Sequence, residues 1–295
     1  MAGAPPPPPV KGASFTTAVW EQARAVTRDE LHLILPPPPP LEVGMSVSLN
    51  GVPSQPKLDG TGAKLLVDKG DGTWSIQHEN YKKKPFDAPA AAMTPLPPLP
   101  KDGVSLECLR SFREGHPELF HEDGHKTTTD ACLKAVMPIT KQARTSLSTV
   151  LKHLGAVDDE QKPFVGPATV FVSHAWRYRA LDVFEAMEAF AAAQAVTDPS
   201  ITPYFWFDLF VNDQHEATSL PQLWWREAFL DGVRHIGHTC LVLAPWYDPI
   251  PLTRAWCLWE ILSTMRMGAT LTVQMVPTEA KSFTQARAAA CAGRR

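Results

Sequence analysis

The chain has 295 residues, with 28 basic side chains against 31 acidic ones for a net charge of −3, and it is 44% hydrophobic and 20% charged. That length allows about two domains at the usual 100–200 residues each, and a near-balanced charge gives no electrostatic footprint for nucleic-acid binding. No uninterrupted apolar run approaches the roughly 18 residues of a membrane span, and five scattered cysteines with no secretory leader predict a reduced, cytoplasmic protein.

Proline punctuates the first third of the chain. There are 29 prolines, about twice the average share of roughly 5%. Pro5–Pro9 and Pro36–Pro40 are unbroken runs, and Pro95, Pro97, Pro98 and Pro100 form a third cluster. Proline fixes φ and donates no hydrogen bond, so such runs are extended spacers that either link domains or dock a proline-binding module. Residues 1–40 are therefore expected to be a proline-rich, disordered N-terminus. One amphipathic helix over Thr17–Leu35, around Trp20, Val26 and Leu31, would interrupt it.

Residues 41–97 read as a small β unit. Val47 and Leu49 alternate with Ser46 and Ser48, Leu65–Val67 is a short apolar run, and Trp74-Ser75-Ile76 alternates again after the turn Lys69-Gly70-Asp71-Gly72. Short strands joined by Gly/Asp turns predict an SH3-like β-barrel. Trp74, Tyr81 and Phe86 would either line a peptide pocket or fill the core, and Lys82–Lys84 would be a solvated face.

Residues 98–165 read as a helical linker region. Thr128-Thr129-Asp130 before Cys132, Leu133 and Val136 looks like an N-cap and the first turns of a helix, and a second helix is expected over Arg144–Leu154. His116, His121 and His125 lie between Cys108 and Cys132, but their spacing fits no compact zinc motif, so no metal site is predicted.

From Ala168 onward, strand and helix patterns alternate. Ala168–Ser173, Tyr204–Leu209, Thr239–Leu243 and Ala269–Gln274 are β-rich. Leu181–Val196, the Trp225/Phe229/Val233/Ile236 series and Thr253–Met265 carry helical spacing. Such alternation predicts βαβ units around a parallel sheet with helices on both faces. Sites in parallel sheets lie beyond the carboxyl ends of the strands. There the sequence places Ser173-His174-Ala175-Trp176-Arg177, then Asp208, then the helix bearing Trp256 and Glu260, which are four apart and share a face. Several chemistries lack their motifs. Adjacent Ser173 and His174 diverge on a strand, and there is no G-x-S-x-G elbow, Walker A loop or G-x-G-x-x-G turn. Taken alone, Glu260 would be a solvent-facing glutamate beside packing tryptophans.

The order FVSHAW, YFWFDLF, CLVLAPWYDP and RAWCLWEI resembles the Toll/interleukin-1 receptor (TIR) domain family over about residues 166–295. Trp256-Cys257-Leu258-Trp259-Glu260 matches both the W-C-x-x-E and the W-x-x-x-E spelling of the family's helix motif. The resemblance implies a flavodoxin-like parallel sheet of order 2-1-3-4-5 and a self-associating signalling domain. It also implies NAD glycohydrolase activity, with NAD as substrate rather than resident cofactor. In that reading Glu260 is the catalytic carboxylate, and Ser173, His174, Trp176, Arg177, Asp208 and Trp256 bind NAD. Asp208 would open a mobile loop over Leu209–Leu223.

The alternative is a non-enzymatic TIR-type scaffold that recruits protein partners through the β unit or the proline runs. Ala175 and Trp176 favour it, because they stand where catalytic relatives carry basic residues. A flavin or nucleotide binder is a third reading, and it lacks a phosphate-cradling loop after the first strand. Neither a membrane nor a nucleic-acid partner is expected. After the fourth strand only Glu279–Cys291 remains. That is enough for one helix but not for a fifth strand and its helix, so the domain would be truncated or would end on an open edge.

Overall fold

In the computed structural model, residues 15–32, 39–53, 55–80, 84–198 and 200–292 are described. The Pro5–Pro9 run, Pro36–Pro38, Tyr81, Lys82 and Lys83 lie outside them. The chain forms two compact units. One comprises residues 34–99 together with Glu216–Asp231; the other holds the remainder. Each contains one β-sheet with associated helix, so the protein is mixed α/β.

The expected single helix over Thr17–Leu35 is two: α1 (Phe15–Ala25) and α2 (Arg28–His32). Thr27 separates them, accepting and donating hydrogen bonds with Glu30 in a turn that starts the second helix afresh. Trp20, Ala23, Val26 and Leu31 are buried in the core of the larger unit. This part of the predicted disordered N-terminus is thus ordered, because it has an apolar stripe to bury.

The smaller unit is a five-stranded antiparallel sheet: β1 (Ser46–Leu49), β2 (Gly62–Asp68), β3 (Thr73–His78), β4 (Phe86–Pro89) and β5 (Met93–Pro95), in the order β4-β3-β2-β1-β5. The period-two pattern is realised. Val47, Leu49, Leu65, Trp74 and Ile76 fill its core, so Trp74 packs inside rather than lining a pocket. The unit has a component that proximity in sequence does not reveal. The carboxylate of Glu79 accepts from the Leu223 N–H at 2.8 Å, Lys64 pairs with Glu227 at 2.8 Å, and the Trp224 indole donates to Pro97 O at 2.7 Å.

The larger unit is built on a six-stranded sheet. Residues 98–165 are not a helical linker but supply two of its strands and four helices. These are β6 (Asp102–Ser105), α3 (Leu106–Gly115), α4 (Thr128–Ala131), α5 (Met137–Ile139), α6 (Leu147–His153) and β7 (Val165–Pro167). One π-helical segment, Cys132–Val136, joins α4 to α5. Then follow β8 (Val170–Ser173), α7 (Ala180–Thr197), β9 (Tyr204–Trp206), α8 (Asp208–Val211), α9 (Gln222–Ile236), whose residues up to Asp231 belong to the smaller unit, β10 (His238–Leu243), α10 (Ala255–Met267), β11 (Thr270–Met275) and α11 (Pro277–Ala292).

Strand order is β11-β10-β8-β9-β6-β7. The first four strands are parallel, in the chain order fourth-third-first-second, while β6 and β7 pair antiparallel. Gly103 is required where β6 meets β9. A Cβ there would stand 2.9 Å from the Phe205 backbone, closer than real side chains come. At the end of α10, Gly268 takes φ +65°, the left-handed C-cap that closes the helix before β11.

β8 is the centre of this sheet. Val170 and Val172 join the large core from one face, and Phe171 stacks on Trp206 from the other with ring centroids 4.8 Å apart. All four residues of β8 are buried. A continuous apolar run, rather than alternation, is what burial on both faces demands.

Candidate functional site

The end of β8 carries the candidate site. Ser173 is its last residue and is fully buried; the loop Ala175–Arg179 follows. That loop is tied down by the start of α4. Thr127 and Asp130 form a reciprocal capping box that starts α4. The next two hydroxyls, Thr128 Oγ1 and Thr129 Oγ1, donate to the Trp176 carbonyl at 2.8 and 3.1 Å. The Thr128 N–H donates to Tyr178 O at 3.0 Å, and Tyr178 in turn hydrogen-bonds the backbone of Ala244 after β10.

Helix α10 packs against the sheet from the end of β8 to the start of β10, with an inverted pattern. Its buried residues are polar or small: Cys257, Glu260, Ser263 and Thr264. Its exposed residues include Leu258, Leu262 and Met265. An ordinary amphipathic helix does the reverse. The buried stripe is tied to the sheet at three points. Cys257 Sγ donates to the His174 carbonyl at 3.6 Å. Ser173 Oγ donates to Glu260 Oε2. Thr264 Oγ1 lies 2.8 Å from Thr239 Oγ1 on β10 and donates to the Glu260 carbonyl at 2.8 Å. Glu260 is therefore not the solvent-facing glutamate of a bland helix; only 8% of it is exposed.

Burial pushes the Glu260 carboxyl up to about 8; the Asp208 charge adds to the rise, while the Ser173 hydroxyl and the Arg254 guanidinium work against it. The same burial pushes the Cys257 thiol up to about 12, so it is no thiolate nucleophile.

Asp208 begins α8 rather than an open loop. The residues expected as one mobile loop, Leu209–Leu223, include the rest of this short helix and then divide between the two units after His215. The Trp176 indole donates to Asp208 Oδ2 at 2.7 Å, and the Gln214 amide donates to Asp208 O at 2.7 Å. His174 Nδ1 stands 3.8 Å from Asp208 Oδ1, too far for a hydrogen bond. Burial holds the His174 imidazole below its usual range, hence neutral, with Asp208 opposing and Arg254 assisting that effect. His174 Nε2, Asp208 Oδ1 and Asn212 Oδ1 are buried without a protein hydrogen bond. Such atoms cost about 1–3 kcal/mol each unless water or a ligand meets them.

The six residues expected to contact a ligand therefore separate. Ser173 and Glu260 are directly bonded, and His174, Trp176 and Asp208 form a second cluster. Arg177 is exposed, and no hydrogen bond ties it to either cluster among the described residues. Trp256 lies in the first turn of α10 and is 40% exposed, so it does not share the burial of Glu260 despite the four-residue spacing. Arg254, Cys257, Thr128 and Gln214 were not singled out from the sequence as site residues. The signals that point to them in the sequence are the RAWCLWEI segment, for Arg254 and Cys257, and the loop after Asp208, for Gln214. His116 is a core residue bonded to Phe112 O at 2.9 Å, while His121 and His125 are exposed. No group of three or more potential metal-ligating side chains is found among the described residues.

No family model matches the sequence, no curated protein is significantly similar to it, and no solved structure matches it significantly. Among the described residues, no helix is long and apolar enough to cross a membrane.

Proposed function

We propose that the α/β unit is a TIR-like domain of flavodoxin type that cleaves the nicotinamide–ribose bond of NAD, with Glu260 as the catalytic carboxylate. The observation that carries this reading is a buried carboxylate bonded to the carboxyl end of the central parallel strand, the place where such sheets bind ligands. The strand order β9-β8-β10-β11 supports the fold, being second-first-third-fourth in the chain. The smaller unit is proposed as an SH3-like module for a protein partner, on its antiparallel order β4-β3-β2-β1-β5.

The chemistry asks for one negative charge. As the C1′–N bond breaks, its electron pair leaves with the nicotinamide nitrogen and cancels the pyridinium charge. The ribose is left as an oxocarbenium-like species. An ionised Glu260 stabilises that positive charge, as carboxylates do in glycoside cleavage. Water then attacks C1′ and releases a proton. Because burial keeps Glu260 protonated until about pH 8, the rate rises with pH through that value.

The test is nicotinamide release from NAD by the concentrated full chain, beside Glu260→Gln. Release that the variant lacks supports the assignment, and equal release from both proteins refutes it. No release from folded, concentrated protein favours the second reading, a self-associating scaffold. That reading has its own support. Leu258, Leu262 and Met265 on α10, and Leu271 and Val273 on the edge strand β11, are exposed, and open strand edges and apolar faces invite association. Concentration-dependent light scattering that Leu262→Glu abolishes would favour it.

A further inference from the structure

We propose that Ser173 is a positioning residue for Glu260: its hydroxyl, fixed at the carboxyl end of β8, holds Oε2 and leaves Oε1 as the oxygen presented to a ligand. The inference rests on the reading of Glu260 as the catalytic carboxylate and assigns the group that aims it. Ser173 is fully buried on a strand hydrogen-bonded to neighbours on both sides, so its Cβ has no freedom to follow a moving partner. Glu260 is held from behind as well, because its backbone carbonyl accepts from Thr264 Oγ1, which itself meets Thr239 on β10. Only the side-chain torsions of Glu260 remain to be fixed, and the Ser173 hydrogen bond fixes them. Among the described residues nothing hydrogen-bonds Oε1. A glutamate side chain left free gives up rotamer entropy when it is immobilised. Holding it in advance removes that cost from the reaction step.

The other groups facing Glu260 are named by element. Asp208 on α8 disfavours its charge, and Arg254 at the start of α10 favours it. Cys257, one turn back on α10, gives its thiol hydrogen to the His174 carbonyl. None of the three hydrogen-bonds the Glu260 carboxylate among the described residues, so none can orient it as Ser173 does.

The experiment compares wild type, Ser173→Ala and Ser173→Thr as full chains. Two readouts are taken: the pH profile of nicotinamide release, and the infrared carboxyl band of Glu260, assigned by subtracting the Glu260→Gln spectrum. Loss of one hydrogen bond to a charged acceptor should raise the Glu260 midpoint by about one pH unit and lower kcat about tenfold. KM should stay within about twofold, since the loss falls on the transition state. Ser173→Thr, which keeps the hydroxyl, should restore the midpoint. An unchanged midpoint and kcat in Ser173→Ala would overturn the proposal. If wild type releases no nicotinamide, the reading of the site as NAD-cleaving fails, and the infrared titration alone decides the role of Ser173. If Ser173→Ala does not fold, the wild-type spectrum decides: a carboxyl band at the frequency of a hydrogen-bonded acid supports the pairing, and one at the frequency of a free acid refutes it.

Discussion

Two parallel strands of one sheet, β8 and β11, have opposite lives. β8 reads Val-Phe-Val-Ser and is buried at every position. β11 reads Thr-Leu-Thr-Val-Gln-Met, lies at the sheet edge and leaves Leu271 and Val273 partly in solvent. Both carry strand-forming residues, yet only β8 ends in the cluster that contains Glu260. The difference teaches that a site needs a strand that cannot move, and a strand cannot move when neighbours grip both its edges and both its faces. The open edge of β11 is suited to meeting other surfaces rather than to holding a small molecule.

The comparison can be broken first through stability. Phe171→Ala removes a ring packed on Trp206 inside the sheet and should cost about 3–5 kcal/mol in denaturant unfolding. Val273→Ala on β11, at a position about half exposed, should cost no more than about 0.5 kcal/mol. Equal losses would mean that the two strands contribute alike.

A second effect concerns Glu260. The native acid keeps its proton until about pH 8, while the unfolded one releases it near the ordinary value of 4.5. Between those values the unfolded state binds fewer protons, so the stability of wild type falls as pH rises. Glu260→Gln abolishes this dependence. At pH 8 the variant should be the more stable by about 2–4 kcal/mol, and at pH 4.5 the two should be nearly equal. A smaller effect is expected where the loop after β8 is clamped. The double change Thr128→Val with Thr129→Val removes two hydroxyl bonds to the Trp176 carbonyl and should cost about 1–2 kcal/mol. It should also redden Trp176 emission as the loop loosens. Unchanged stability and emission would show that the clamp is idle.

Much of the centre of the molecule was legible. The apolar run Val170–Val172 announced a doubly buried strand, and the Trp256–Glu260 segment announced the helix that bears the carboxylate. What stayed hidden has physical causes. β6 and β7 are short and rich in Gly, Pro and Asp, so they carry no periodicity; β6 becomes a strand because β9 offers it an edge, and β7 because β6 then offers the next one. Ser173 and Glu260 are 87 residues apart, and no local pattern records their bond. The same holds for Glu227, whose partners Ser46 and Lys64 lie in the small β unit. The burial of Glu260 was missed for a further reason: its helix hides polar residues and shows apolar ones, against the rule by which helix faces are assigned.

The measurement that tests the account most directly is nicotinamide release from NAD by the concentrated full chain, followed from about pH 6 to pH 9. The account predicts a rate that climbs through about pH 8, where the Glu260 carboxyl ionises, and that vanishes in Glu260→Gln. A rate that is flat across that range, or one that survives in Glu260→Gln, would contradict it.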